Sequence, residues 1–179
     1  ISSAQFNRTI TSTLMRSCYS ARTTLNLVIV PHGHSTWNEK NLFTGWVDVD
    51  LTPLGEQEAR PAVTQLPAAG LSFDVMHTSL LSRAVRTAHL ALEVSGQVFL
   101  PVNRTWRLNE RHYGALQGKD KVEMVKQFGA EQVLLWRRSY DVPPPTVDAS
   151  HEHHPSRDAR YRLLAPDAAS VYGAAMHRS

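Results

Sequence analysis

One histidine in this sequence stands at a position suited to chemistry. Leu27-Val28-Ile29-Val30 is an apolar, β-branched run that reads as a buried strand, and it stops at Pro31-His32-Gly33-His34-Ser35. In open α/β sheets, ligands sit off the ends of such strands. Gly33 lacks a Cβ, so backbone and ligand can approach closely there. An imidazole held at that mouth can serve as a base, a metal ligand or a nucleophile. Taken alone, a single His after a strand is more often structural than catalytic, so other residues must decide.

Three further stretches carry chemistry-bearing side chains: Leu81–Thr87 (Leu-Ser-Arg-Ala-Val-Arg-Thr), Trp106–Gly114 (Trp-Arg-Leu-Asn-Glu-Arg-His-Tyr-Gly) and Trp136–Pro145 (Trp-Arg-Arg-Ser-Tyr-Asp-Val-Pro-Pro-Pro). By residue type alone, each has a plain alternative. Arg137 and Arg138 are neighbours on a predicted helix and do not share a face, so a solvated basic helix would explain them. Glu110 reads equally as an acid–base carboxyl or as an ion-pair partner of Arg107 or Arg111. Tyr113 reads as a half-buried aromatic with its hydroxyl as a polar handle. His151, His153 and His154 with Glu152 raise a metal site, but without helical spacing or a second ligand cluster a solvated loop is the better reading.

Together with the His32 stretch, these motifs closely resemble the cofactor-dependent phosphoglycerate mutases of the histidine phosphatase superfamily, from about Leu25 to about Tyr161. The resemblance implies an α/β fold, a three-layer sandwich with a mostly parallel sheet, incomplete at the C-terminus. It implies interconversion of 3-phosphoglycerate and 2-phosphoglycerate in glycolysis and gluconeogenesis, primed by 2,3-bisphosphoglycerate. His32 matches the residue that takes the phosphoryl group, and Glu110 matches the proton shuttle. Arg83, Arg137 and Arg138 match phosphate clamps, with Lys121 as a point charge. Ser35, Asn38, Thr44 and Gly45 match the loop that hydrogen-bonds phosphate and carboxylate, and Tyr113 matches a substrate contact. No metal is needed where enough cationic donors spread over the phosphoryl oxygens. The implied partners are small phosphorylated three-carbon acids, with no nucleic acid and no membrane; a homo-oligomer stays open. The implied place is the cytoplasm.

The chain also departs from the family. The first motif reads Pro31-His32-Gly33-His34 where the family has Arg-His-Gly-Glu, so a clamp beside the nucleophile is gone. Losing one such donor costs on the order of 100- to 1000-fold in rate. A second His-Gly strand end is also missing before Ser179, and His177 is followed by Arg. These departures keep two other functions open: a bisphosphoglycerate synthase or phosphatase of the same superfamily, and a non-catalytic truncated member that binds anions or a partner chain.

The elements that must position these residues are legible in outline. Asn41–Trp46 reads as a loop, and Thr52-Pro53 opens a helix with Glu56 and Glu58 near its positive end. Pro61 and Pro67 predict a break or kink in that helix. Phe73–His77 reads as a strand, then a helix from Leu80 to about Val94 is capped by Thr78-Ser79 and ended by Ser95-Gly96. Val98–Val102 reads as a third strand, residues 105–118 as a long functional loop, and Asp120–Phe128 and Ala130–Ser139 as helices parted by Gly129. Strands alternating with helices argue an α/β fold.

Size and composition are those of one globular domain: 179 residues, 42% hydrophobic and 20% charged. The domain is expected over 25–162, after an extension of 1–24 and before a divergent tail of 163–179. Residues 1–24 are rich in Ser and Thr, carry Arg8, Arg16 and Arg22, and hold no acid. That is the composition of a mitochondrial or plastid transit peptide, and equally of an unstructured arm. The net charge of +3 gathers there, so it argues for no nucleic-acid face on the domain. Cys18 is the only cysteine, which rules out an internal disulfide and fits a reducing compartment.

Overall fold

The computed structural model describes residues 10–13 and 24–162. Most of the predicted extension 1–24 and all of the predicted tail 163–179, His177 included, lie outside the described residues. The chain divides into two units, Ile1–Pro31 and His32–Ser179.

In the first unit, strand β1 (Ile10–Thr13) pairs antiparallel with β2 (Thr24–Leu27), placing Ile10 opposite Leu27 and Thr13 opposite Thr24. The buried strand expected over Leu27–Val30 is not formed. The ladder stops at Leu27, and Leu27, Ile29 and Val30 are exposed. A central strand needs hydrogen-bonded neighbours on its edges; Val28–Val30 has none among the described residues, and Pro31 has no N–H to offer one.

The second unit is an α/β assembly. Its short helix α1 (Thr36–Glu39) is followed by α2 (Pro53–Ala68), β3 (Met76–Thr78), α3 (Ser82–Ser95), β4 (Val102–Arg104), α4 (Lys121–Phe128), α5 (Ala130–Arg138) and α6 (Ala159–Arg162). Strands β3 and β4 pair in parallel, Met76 opposite Val102 and Thr78 opposite Arg104. Both strands start later than predicted, because pairing rather than apolar content sets their limits.

Helix α2 opens as predicted: Thr52 Oγ1 accepts from Gly55 N at 2.9 Å. It then runs through Pro61 without the expected break. Proline there removes the donor to the Gln57 carbonyl, but Gln57 is exposed, so water can satisfy that carbonyl. Packing of α2 on α3, with Ala59, Val63, Leu90 and Ala91 buried, offsets the remaining cost.

Helix α3 begins two residues later than expected and has no cap from Thr78 or Ser79. Asp48 takes that role from 34 residues away, accepting from the backbone N–H of Ser82 at 2.6 Å and from its hydroxyl. The carboxylate also complements the positive end of the helix. The C-terminus is as predicted, with Gly96 in the left-handed conformation (φ 67°). Asp120 caps α4 by accepting from Val122 N and Glu123 N, and Gly129 separates α4 from α5. A small core of Phe43, Leu116 and Val133, flanked by Tyr113, Met124 and Trp136, ties the α4–α5 hairpin to the loop before α2 and to the 110–117 segment.

Candidate active site

His32 begins the second unit, and its next residue is anchored to α3: Gly33 N donates to Thr87 Oγ1 at 3.1 Å. The His32 ring folds back on its own chain, with Nδ1 2.7 Å from the Gly33 carbonyl oxygen. A carbonyl only accepts, so Nδ1 carries the proton and Nε2 keeps its lone pair. Burial holds the imidazole below the ordinary histidine pKa; Arg83 and His34 push the same way, while the Gly33 carbonyl and Glu110 oppose them. At neutral pH the ring is therefore a neutral base whose Nε2 lone pair is turned to a donor.

Arg83 is the group that faces this lone pair. Its side chain is 0% exposed, and its Nε lies 3.4 Å from His32 Nε2. Its Nη1 donates to the Val47 carbonyl at 2.9 Å. Its Nη2 donates both to the Gly45 carbonyl at 2.7 Å and to Glu110 Oε2 at 2.9 Å. Isolating a cation from water is expensive, and three carbonyl or carboxylate oxygens meet that cost here. Glu110 thus pairs with Arg83 and with neither Arg107 nor Arg111, the partners its neighbourhood in sequence suggested. The three groups form one chain, His32–Arg83–Glu110.

The turn that supplies Gly45 is held on several sides. Gly45 has φ 58°, and a Cβ there would run into Gln117 Oε1 and press on the Arg111 carbonyl, so only glycine fits. Trp46 Nε1 donates to the Glu110 carbonyl at 2.8 Å. The indole stacks on Tyr161 at 5.0 Å between ring centroids and meets His112 edge-on at 5.4 Å. Thr44 is buried beside it.

The remaining predicted residues fall into two groups. Tyr113 and Lys121 both feel the charge of Glu110; Arg137 acts on both of them and Arg138 on Tyr113. Burial and then Glu110 push the Tyr113 hydroxyl up, with Arg137, Arg138 and Arg111 opposing. Burial and then Arg137 hold Lys121 below the usual lysine range, with Glu110 and Asp120 opposing. Arg137 is half-buried and Arg138 exposed. Ser35 and Asn38, by contrast, are turned toward each other. They form a capping box on α1, with Ser35 N 3.0 Å and Ser35 Oγ 2.8 Å from Asn38 Oδ1, and Ser35 fully buried.

Four residues that sequence reasoning passed over help to build the site: Asp48, Thr87, Trp46 and Gln117. Each acts through a partner 34 to 71 residues away. The local hints were the position of Trp46 next to Gly45, of Thr87 at the end of the Leu81–Thr87 motif and of Gln117 in the 105–118 loop. The histidines of the 151–154 stretch have structural work instead: His153 packs edge-on against Trp37 at 5.6 Å, and His154 Nδ1 accepts from Ser156 N. Among the described residues no three His, Cys, Asp or Glu side chains are grouped to hold a metal ion. No helix of the described residues is long and apolar enough to cross a membrane.

Residues 27–168 match the sequence profile of the histidine phosphatase superfamily (branch 1). The chain is 55% identical over 140 residues to a phosphoglycerate mutase of Candida albicans, covering 78% of this chain and 56% of that one. It is 57% identical over 141 residues to a 2,3-bisphosphoglycerate-dependent phosphoglycerate mutase of Nitratidesulfovibrio vulgaris, covering 79% and 57%. The chain therefore spans little more than half the length of the curated relatives it matches. Among solved structures, a mycobacterial glucosyl-3-phosphoglycerate phosphatase superposes with a TM-score of 0.54 at 28% identity, over 64% of this chain and 51% of that one. This chain belongs to the histidine phosphatase superfamily.

Proposed function

We propose that this superfamily member is a phosphoglycerate mutase, moving a phosphoryl group between the 2- and 3-hydroxyls of phosphoglycerate by way of His32. The observation that carries the reading is the His32 tautomer: the Gly33 carbonyl holds the proton on Nδ1, which leaves Nε2 as a nucleophile facing Arg83. The 55–57% identity to proteins named as phosphoglycerate mutases supports the choice of substrate.

The side chains present suit a small polyanion. Arg111 Nε is a buried donor with no acceptor among the described residues, and Lys121, Arg137 and Arg138 stand around Tyr113. When bound, 2,3-bisphosphoglycerate supplies the phosphoryl group. His32 Nε2 forms a bond to phosphorus as the bond from phosphorus to the sugar-acid oxygen breaks. Glu110, as the acid, returns a proton to that oxygen, and as the base removes one from the hydroxyl that later takes the group back. Arg83 spreads the charge of the phosphoryl oxygens across its guanidinium, and the step requires it to loosen its hold on Nε2. Lys121, Arg137 and Arg138 hold the remaining phosphate and carboxylate charge. Ser35, Asn38, Thr44 and Gly45 complete the binding loop in this reading, which needs Ser35 or Asn38 to release its capping partner.

The reading extends to organisation. The mutase-like domain would run over 25–162, with small phosphorylated three-carbon acids as its partners, no metal, and the cytoplasm as its place. An organelle replaces the cytoplasm if residues 1–24 act as a transit peptide, and a reporter fused to 1–24 separates the two.

The test of function is labelling with radioactive 2,3-bisphosphoglycerate. Acid-labile label on the intact chain, absent in His32→Ala, together with interconversion of the two phosphoglycerates, is the expected result. Ligand binding without label would favour the anion-binding alternative.

A further inference from the structure

Gln117 is one of the most deeply buried polar side chains of the second unit, 1% exposed, and it lies within the 105–118 loop but has no role assigned there. Its Oε1 accepts the backbone N–H of Trp46 at 2.8 Å. It reaches this place from the single 3₁₀ turn Gly114–Leu116, which is itself fixed by Ala115 N donating to the Pro145 carbonyl at 2.9 Å. The absence of a side chain at Gly45 is what admits the amide so close to the turn. Two bonds then leave the turn for the reacting groups: Gly45 O receives Arg83, and Trp46 Nε1 donates to the Glu110 carbonyl.

We propose that Gln117 is a positioning residue for Glu110: by holding the Gly45–Trp46 turn it fixes the Glu110 backbone, and so the place of the Glu110 carboxylate beside Arg83 and His32. The route is Gln117 Oε1 to Trp46 N, then Trp46 Nε1 to Glu110 O. The effect on proton transfer rests on the phosphoryl-transfer reading above; the effect on the electrostatics of His32 does not.

That separation shapes the experiment. The groups that face His32 are Arg83 from α3, Glu110 from the 109–113 segment, and His34 and the Gly33 carbonyl from its own stretch of chain. Gln117 is uncharged and is not among them. The titration midpoint of the His32 ring, followed by NMR on the full chain, therefore reports on Glu110 and not on Gln117 directly. Gln117→Met keeps the length, loses the acceptor and adds no charge of its own. Gln117→Met should move the midpoint by about 0.3 to 1 pH unit through the displaced carboxylate. The shift should vanish in a Glu110→Gln background. An unmoved midpoint in folded Gln117→Met overturns the proposal, as does a shift that persists without Glu110.

Trp46→Phe cuts the same route lower down and serves if Gln117→Met does not fold. It should give a comparable shift, and an unmoved midpoint there overturns the proposal equally. In labelled protein, Gln117→Met should slow discharge to phosphoglycerate about tenfold, less than the roughly 100-fold or more that outright loss of an acid–base group costs, with affinity changed by less than about twofold. Equal discharge rates overturn the proposal. If the unmodified chain takes no label while the NMR shifts appear, the function reading fails and the positioning role stands.

Discussion

The His32–Arg83–Glu110 network and the α4–α5 hairpin both present cations to the same corner of the molecule, and they hold them in opposite ways. Arg83 is buried with its donors committed to Val47, Gly45, Glu110 and His32, so its place is fixed before any anion arrives. Lys121, Arg137 and Arg138 sit on short helices around a core of three buried residues, half-buried or exposed, and meet Tyr113 and Glu110 through space. The first arrangement is preorganised for charge that develops at one point. The second can adjust to phosphate or carboxylate at more than one distance. The proposed function, in which one site holds two isomers of one substrate, would use both properties.

The comparison is broken most directly at Arg83. Arg83→Met should cost about 2 to 4 kcal/mol of stability, because it leaves two carbonyls without their donor and takes the cation from Glu110, whose carboxylate is one third exposed and keeps some water. Urea denaturation measures this, and a loss below 1 kcal/mol would show that the network is loosely held. Gly45→Ala tests the same region through the backbone. It should cost about 1 to 3 kcal/mol, from the left-handed conformation and the clash with Gln117, by the same measurement.

A pH series sharpens the contrast further. Burial lowers His112 from 6.5 to about 4, with His154 adding to the effect, and lowers His32 in the same direction. Between these values the unfolded chain takes up protons that the folded chain refuses. Stability should therefore be level above about pH 6.5 and fall as the pH drops toward 4, with a slope approaching about 1.4 kcal/mol per pH unit from His112 and a further contribution of the same sign from His32. His112→Asn, which keeps an acceptor for Gly114 N, should flatten the slope.

The hairpin should respond in the opposite sense. Arg138→Ala should change stability by less than about 0.5 kcal/mol and yet abolish the rise in melting temperature that bisphosphoglycerate gives. An unchanged rise would remove Arg138 from the binding surface.

The two regions also differ in how far they could be read from sequence. The hairpin was legible to within a residue, because its signals are local: Asp120 caps the amides two and three residues on, and Gly129 parts the helices. The end of α3 was legible for the same reason. The start of α3 was not, since its cap is Asp48, and no local pattern reveals a partner 34 residues away. The apolar run Leu27–Val30 misled because hydrophobicity marks what could be buried, while a strand also needs an edge to pair with. Pro61 misled in the other direction, its local penalty outweighed by the packing of α2 on α3. Residue types and motifs did nominate His32, Arg83 and Glu110, which the structure joins by hydrogen bonds. They could not supply Trp46 and Gln117, whose roles exist only in the folded chain.

Trp46 carries a practical consequence. Its indole donates to Glu110, stacks on Tyr161 and touches the edge of His112. A protonated imidazole quenches indole emission by accepting an electron, and a stacked phenol passes excitation to the indole. The molecule therefore carries an optical reporter at the centre of its own site. In a chain with Trp37, Trp106 and Trp136 replaced by Phe, charging of His112, departure of Tyr161 and displacement of Glu110 would each change the intensity or colour of emission from Trp46, without any label being attached.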